Sequence, residues 1–438
     1  MQAHTQKPLT RLSGENRRFL FLQGPHGPFF ARLGRMVRAS GGKVWRVGFN
    51  AGDAAFWRDR DSFIPFTARP QDWPAECAAL LERHQITDIV LYGDTRPIHA
   101  QAIAAARARH ITVHVFEEGY MRPYWVTYER EGANGNSRLM TLDLPQMRRA
   151  LERCETDLPD PPARWGDMRQ HVFYGALYHF FVMFANRRFR NFRPHRALSV
   201  SQEFGLYVKR LWAMPLISLQ RRLATRYIRN GGFPYHLALL QLEHDSNFQM
   251  HSPFSTMSEF IDLCLKGFAE GAPGHHHLVF KAHPLEDGRV PVHREIRRLA
   301  AAYGVADRVH FVRGGKLAAL LNHARSAVTV NSTAAQQVLW RGMPLKVFGS
   351  AVYGKPEFVS TQPLPEFFAQ PARPDARAYR DYRNYLLETS QIPGGFYSVA
   401  GRRHLLRQVV DLMLAPDDPY TALETGQAAP RQQLRLVR

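Results

Sequence analysis

The chain has 438 residues, 45% of them hydrophobic and 22% charged, so it is long enough for about two to three domains with real cores and is not a disordered chain. Its 58 Lys and Arg against 38 Asp and Glu leave a formal charge of +20, which favours an anionic partner: nucleic acid, an anionic membrane surface or a charged metabolite. Cys77, Cys154 and Cys264 stand far apart without metal-ligand spacing, no apolar run reaches about 18 residues, and the first residues lack the apolar core of a secretory signal, so disulfides, zinc, membrane spans and export are not expected.

In chain order, β-rich runs at 18–23, 43–50, 88–94 and 112–119 read as strands, with helical patterns such as "FFARLGRMVRAS" and "RPIHAQAIAAARARH" between them. A second block places strands at 235–243, 277–284, 308–314, 327–333 and 345–350. Strands alternating with helices of this length predict parallel sheets covered on both faces. The expected class is therefore α/β: an N-terminal Rossmann-like domain over 1–145, a helical connecting segment over 146–232, a C-terminal Rossmann-like domain over 233–415 and a flexible tail over 416–438. The connecting segment mixes aromatic and aliphatic residues with dense arginine, as in "HVFYGALYHFFVMFANRRFRNFRPHR". It reads either as an interfacial helix pair with its arginines on anionic lipid or as a linker whose Arg187, Arg188 and Arg190 stay solvated.

Open α/β sheets bind ligands beyond the carboxyl ends of their strands, and the polar residues there are the candidates. The first strand runs into "QGPHGPFF", where Gln23, Gly24, His26 and Gly27 precede a helix; such a loop holds an anionic group or is a tight strand–helix turn. It matches neither a dinucleotide fingerprint nor a P-loop. The second strand ends in "NAGDAAFW", with Asn50 and Asp53 as ligand contacts or as ordinary turn residues. The fourth expected strand ends in "FEEGYMRPYW", offering Glu117, Glu118, Tyr120 and Arg122. Carboxylates there serve as base, nucleophile or hydroxyl acceptor; strand alternation predicts that one of the two glutamates faces the cleft, and an ion pair with Arg122 is the alternative.

In the second block, "LQLEHDSNFQMHSPF" carries Gln241, Asp245, Ser246 and His251, with Ser252 expected to cap a helix that starts at Pro253. "FKAHPLED" presents Lys281, His283 and Pro284, and "VTVNSTAAQQ" presents Asn331, Ser332 and Thr333 at a helix start, a phosphate-sized convergence of hydroxyls and N–H groups.

Read together, "FLQGPHGPFFARL", "GFNAGDAAFW", "FEEGYMRPYWVTYE", "DSNFQMHSPF", "KAHPLEDG" and "VNSTAAQQVLWRGMPLKVFGSAVY" occur in an order that resembles the capsule polysaccharide biosynthesis family of KpsS/LipB type, over roughly residues 19 to 355. The resemblance implies a GT-B-like fold, two Rossmann-like domains facing a cleft, and a glycosyltransferase. The implied reaction moves the first β-linked Kdo from CMP-Kdo to a lysophosphatidylglycerol-type acceptor, starting the linker of a capsular polysaccharide. It further implies that Lys281, His283, Pro284, Asn331, Ser332 and Thr333, with Gln241, Ser246 and His251, hold the donor. Gln23, Gly24, His26, Gly27, Asn50, Asp53, Tyr120 and Arg122 would then serve the acceptor or the Kdo. A β-configured donor giving a β-linked product means net retention, for which Glu118, then Glu117 and Asp245, are the candidate carboxylates. No cofactor and no metal is expected, with CMP-Kdo entering as substrate. The implied partners are CMP-Kdo, an anionic lysophospholipid and the inner-membrane surface, joined by a Kdo-chain-extending transferase and the capsule export complex. The implied location is cytoplasmic, peripheral on the inner face of the bacterial inner membrane. Two rival readings are an inactive scaffold of capsule assembly and a basic nucleic-acid-binding protein; against the latter, the arginines form no reader motif.

Overall fold

The computed structural model describes residues 12–153, 168–192, 200–286 and 288–427. The first block holds β1 (Arg18–Phe21), α1 (Phe29–Ala39), β2 (Lys43–Gly48), α2 (Ala51–Ala55), β3 (Phe63–Pro65), α3 (Trp73–Arg83), β4 (Asp88–Tyr92), α4 (Pro97–Arg107), β5 (Thr112–Glu118) and β6 (Trp125–Arg130). Strands β3-β2-β1-β4-β5 run parallel in that order, and β6 pairs antiparallel on β5. β1 shows why the run is apolar throughout: Phe19 and Phe21 pack on α1 residues such as Phe30 and Leu33, while Leu20 packs on the opposite side with Trp73 and Leu80.

The chain continues through α5 (Leu144–Leu151), α6 (Met168–Phe184) and α7 (Val200–Asn230) into β7 (Tyr235–Leu239), α8 (Ser246–His251), α9 (Met257–Gly271), β8 (His277–Lys281), α10 (Val292–Ala302) and β9 (Val309–Val312). Next come α11 (Ala318–Leu321), β10 (Ala324–Thr329), α12 (Gln336–Leu339), β11 (Leu345–Val347) and α13 (Leu364–Ala369). The second sheet is wholly parallel, ordered β9-β8-β7-β10-β11, the same winding as the first. Two Rossmann-like domains thus face each other across a cleft, a GT-B-like arrangement.

The end of the chain departs from the expected boundaries. After α14 (Ala376–Glu388), β12 (Gln391–Pro393) pairs antiparallel with β6, and α15 (Val399–Leu414) buries Leu405, Val409 and Met413 in the core of the first domain. A three-residue strand has no periodicity to read, so the return crossing was invisible in the sequence. The expected flexible tail contains α16 (Pro419–Glu424), capped by Asp418, with Tyr420 and Leu423 buried; residues beyond 427 lie outside the described part. The boundary at 145 also softens, because Leu144 and Met147 share a core with Tyr235 and Leu237. Ser252 does not cap the following helix: Thr256 does, accepting from Glu259 N–H, while Ser252 accepts from Phe254 N–H at 2.9 Å.

Of the connecting segment, 154–167 and 193–199 lie outside the described residues. α6 leaves Phe173, Phe180 and Phe184 exposed, and α7 leaves Trp212, Leu216, Leu219, Leu223 and Tyr227 exposed. Their spacing of three and four residues places the α7 set in one row along the helix. Among the described residues, no helix is long and apolar enough to cross a membrane.

Candidate active site

The carboxyl ends of the two sheets border a cleft of about 800 Å3, part of it open to solvent. The first sheet contributes Tyr92 at the end of β4 with Gly93 and Arg96 after it, then Glu117 and Glu118 at the end of β5 with Arg122 after them. The second contributes Gln241, Asp245 and Ser246 after β7, His283 after β8, and Ser332 and Thr333 after β10.

Both glutamates reach the cleft, against the alternation rule. Glu118 N–H donates to Glu117 Oε1 at 2.9 Å, which curls the Glu117 carboxylate back over the strand end. Glu118 Oε1 accepts from the hydroxyls of Tyr92 at 3.3 Å and Tyr397 at 3.4 Å. Enclosure pushes the Glu117 pKa up to about 7; the charges of Glu118 and Asp245 add to the rise, while the Glu118 N–H and Arg122 oppose it. Gly93 leaves room for this carboxylate, since a Cβ there would stand 3.3 Å from Glu117 Oε2. Asp245 is the N-cap of α8, accepting from Asn247 N–H at 2.9 Å.

Across the cleft, His283 Nδ1 accepts from Leu285 N–H at 3.1 Å, which assigns the proton of the neutral ring to Nε2. Ser332 Oγ accepts from Ala334 N–H at 3.3 Å, but the helix it opens is a 3-10 turn, Thr333–Ala335, running into the four-residue α12. So short an element has little macrodipole, and what it offers is hydroxyls and N–H groups.

Other candidates stand behind the cleft wall. Asn331 is buried and exchanges two hydrogen bonds with Gln241, at 2.8 and 3.0 Å, while its amide also donates to the carbonyls of Asn247 and His251. It ties the ends of β7 and β10 at the point where the strand order reverses. His251 packs against Gly135, where a Cβ would meet Nδ1 at 2.2 Å; burial lowers its pKa and Asp94 opposes this. Lys281 is only 6% exposed, and neither it nor Pro284 lines the cleft. Tyr120 is buried, donating to Glu129 Oε1 at 2.6 Å and accepting from Asn134 N–H at 2.6 Å, so it supports the cleft residue Asn134 from below.

The opening loop and the end of β2 form a closed cluster away from the cleft. Asp53 accepts from Gln23 at 3.0 Å and pairs with Arg46 at 3.2 Å, and Asn50 donates to the Tyr178 hydroxyl at 2.7 Å. His26 stacks on Tyr178 at 4.4 Å between ring centroids. Gly27 has φ of +109°, and a Cβ there would meet the Tyr174 ring at 3.0 Å. Gly24 is pressed more closely still, by Phe30 at 2.5 Å from its Cβ position. The glycine-rich loop packs against helix α6. Sequence reasoning missed Tyr92, Gly93, Arg96, Asn134 and Asn247. "LYGDTRP" after β4 obeys the same strand-end rule and was the available signal.

Two wound sheets and a polar cleft between their carboxyl ends define a glycosyltransferase-like α/β protein of GT-B-like architecture. Residues 87–397 match the family model described as "Capsule polysaccharide biosynthesis protein", and the chain belongs to that family. It is 30% identical over 389 residues to the "Capsule polysaccharide export protein KpsS" of Escherichia coli, covering 88% of this chain and 98% of the relative. It is 31% identical over 402 residues to the "Capsule polysaccharide modification protein LipB" of Neisseria meningitidis, covering 88% of this chain and 92% of that one. Among solved structures it is similar to "Thermosulfurimonas dismutans KpsC, beta Kdo 2,7 transferase", at 12% identity and a TM-score of 0.43, over 91% of this chain and 100% of the other.

Proposed function

We propose that this capsule polysaccharide protein transfers the first β-Kdo from CMP-Kdo to a lysophosphatidylglycerol-type acceptor and so initiates the capsular linker. The observation that carries the reading is the Glu117–Glu118 pair facing His283, Ser332 and Thr333 across one cleft. Retention follows from two displacements. Glu118 attacks the anomeric carbon, the bond from that carbon to the phosphate oxygen breaks, and CMP leaves with the electron pair. The His283 Nε2 proton and the two hydroxyls offset the charge that builds on the phosphate. The acceptor hydroxyl then gives its proton to Glu117 and attacks the same carbon, releasing Glu118. A carboxylate with a pKa near 7 suits that base role, and two phenolic donors hold the Glu118 carboxylate in place.

In the same reading the chain sits peripherally on the inner face of the bacterial inner membrane. The exposed apolar residues of α6 and α7 face the lipid, flanked by Arg187, Arg188, Arg222 and Arg226, and Glu203 is the one acidic residue on the two helices. A chain-extending transferase and the export complex are the protein partners this reading adds; nucleic acid is not one.

The test is transfer from CMP-Kdo, generated in situ, to a fluorescent lysophosphatidylglycerol, followed by product mass for wild type, His283→Ala and Glu118→Gln. The expected result is a single-Kdo adduct lost in both variants. No product despite CMP binding redirects the search to another sugar or acceptor, and no CMP binding sinks the transferase reading in favour of a scaffold.

A further inference from the structure

We propose a second anion site, adjoining the donor cleft at His283, that takes the phosphate of a membrane-lipid headgroup. It is built from Arg221 of α7, Lys281 at the end of β8, and Arg313 and Lys316 in the loop after β9. The inference rests on the lipid-acceptor reading above and deepens it.

Lys281 is the starting point. Its ammonium makes one hydrogen bond, to the Ala282 carbonyl at 3.3 Å, and among the described residues it has no carboxylate partner. On its strand it shares a face with Val279, which packs in an apolar core with Ile228 of α7, Leu317 and Leu320. The charge acting on it is a second cation, Arg221. Two cations drawn together beside an apolar core, with no described anion, disfavour the empty state, and a bound anion offsets both desolvation and repulsion.

The loop "RGGK" borders Arg221 and carries two more cations. Gly314 and Gly315 have φ of +60° and +84°, and the missing Cβ of Gly315 would stand 2.7 Å from Arg221 Cδ, so the loop lets the arginine stem pass directly over its backbone. Arg313 and Lys316 flank the glycines, both exposed, and among the described residues neither forms an ion pair. Gly314 also approaches Pro284, its Cβ position lying 3.4 Å from Pro284 Cα, so the cluster begins at the rim where His283 enters the cleft.

Spacing separates the loop from two of the donor phosphate contacts, Ser332 and Thr333, while the third, His283, follows β8 just after Lys281 and borders both sites. Ser332 and Thr333 follow β10, the loop follows β9, and β7 and β8 lie between them. Three strand spacings are about 14 Å, too far for one phosphate to touch both. The helix that supplies Arg221 identifies the source of the second anion. Its exposed row, Trp212 (83% exposed), Leu216, Leu219, Leu223 and Tyr227, lies on the side opposite Arg221, which stands two positions from both Leu219 and Leu223. A lipid seated at that row needs to reach around one helix, about 10 Å across, to set its phosphate among the four cations and its sugar-accepting hydroxyl beside His283.

The test uses the full chain and calorimetric titration with short-chain phosphatidylglycerol below its micelle concentration, short-chain phosphatidylcholine, inorganic phosphate and CMP. R313Q/K316Q alters two exposed side chains and keeps the fold; R221Q is the second variant. The expected result is binding of phosphatidylglycerol in preference to phosphatidylcholine and free phosphate, weakened tenfold or more in both variants, with CMP affinity unchanged. Unchanged lipid affinity in R313Q/K316Q overturns the proposal. So does a parallel loss of CMP affinity, which assigns the cluster to the donor, or equal affinity for free phosphate and the lipid. A wild-type protein that fails to bind CMP defeats the transferase reading, while the lipid titration still decides this site.

Discussion

The Tyr397 hydroxyl donates to the Glu118 carboxylate at 3.4 Å, joining residues 279 positions apart in the chain. The contact exists because β12 returns to the first sheet and the turn after it passes over the end of β5. Burial pushes the pKa of Tyr397 well above that of an ordinary phenol, as it does for Tyr92, so both remain donors wherever Glu118 is ionised. The carboxylate read as the nucleophile is thus held by two parts of one domain, and the last segment of the chain is part of the site.

Tyr397→Phe tests that relationship with little structural cost, because the ring stack on His171, 4.3 Å between centroids, survives the change. Losing one hydrogen bond to a charged group is expected to lower kcat by about 10-fold, some 1–2 kcal/mol, with the KM for donor within about twofold. Tyr92→Phe should behave alike. A variant with wild-type kcat and a lowered Tm would make the hydrogen bond structural only.

Glu117 predicts a pH profile. With a pKa of about 7, raised chiefly by burial, it is ionised as a base above that value. The rate should therefore fall about tenfold per pH unit below 7, level off above it, and lose this limb in Glu117→Gln. Stability moves oppositely. The folded pKa lies above the reference 4.5, so the fold favours the neutral form, and wild-type stability declines as pH rises through this window. Because the side chain keeps access to the cleft, we expect the Gln variant to gain about 1 kcal/mol at pH 8 and nothing near pH 4.5. Urea unfolding at both pH values measures it; a gain that is the same at both removes the titration from the account.

The cleft residues were legible where local pattern suffices. Glu117, Asp245, His283 and Ser332 each follow an apolar run that parallel strands buried on both faces must have. Gln23, Asn50 and Asp53 satisfy the same rule at the ends of β1 and β2, yet α6 lies over them, placing Tyr178 on Asn50 across 128 residues. No local pattern states which strand ends a distant helix will cover. The same gap hid Tyr397 and the docking of α16.

That docking predicts a stability cost in a segment whose composition suggested a loose tail. Tyr420 is 3% exposed, and its hydroxyl donates to Glu129 Oε2 at 3.0 Å, beside Tyr120 and Ser137 on the same carboxylate. Tyr420→Ala should cost about 3–4 kcal/mol by urea unfolding, and Tyr420→Phe about 1 kcal/mol, since Glu129 keeps its other donors. A cost below about 1 kcal/mol for the alanine variant would mean that the helix is not docked in solution.

Gly27→Ala separates the two readings of the opening loop. The residue sits at φ of +109° with Tyr174 of α6 at 3.0 Å from the added Cβ, so alanine meets both strain and contact. If the loop holds α6, the variant loosens that helix: trypsin should cut at Arg187 or Arg188 several-fold faster, stability should drop by about 1–3 kcal/mol, and CMP affinity should stay within about twofold. If the loop instead holds the acceptor or the Kdo, the KM for acceptor or for CMP-Kdo should rise before the helix loosens. Gly52→Ala supplies the control, because its Cβ would meet the ring of Tyr178 at 2.6 Å, on the same helix but from α2. Agreement between the two variants in proteolysis, with unchanged KM for acceptor and CMP-Kdo, assigns the loop to packing; a KM rise confined to Gly27→Ala returns it to the site.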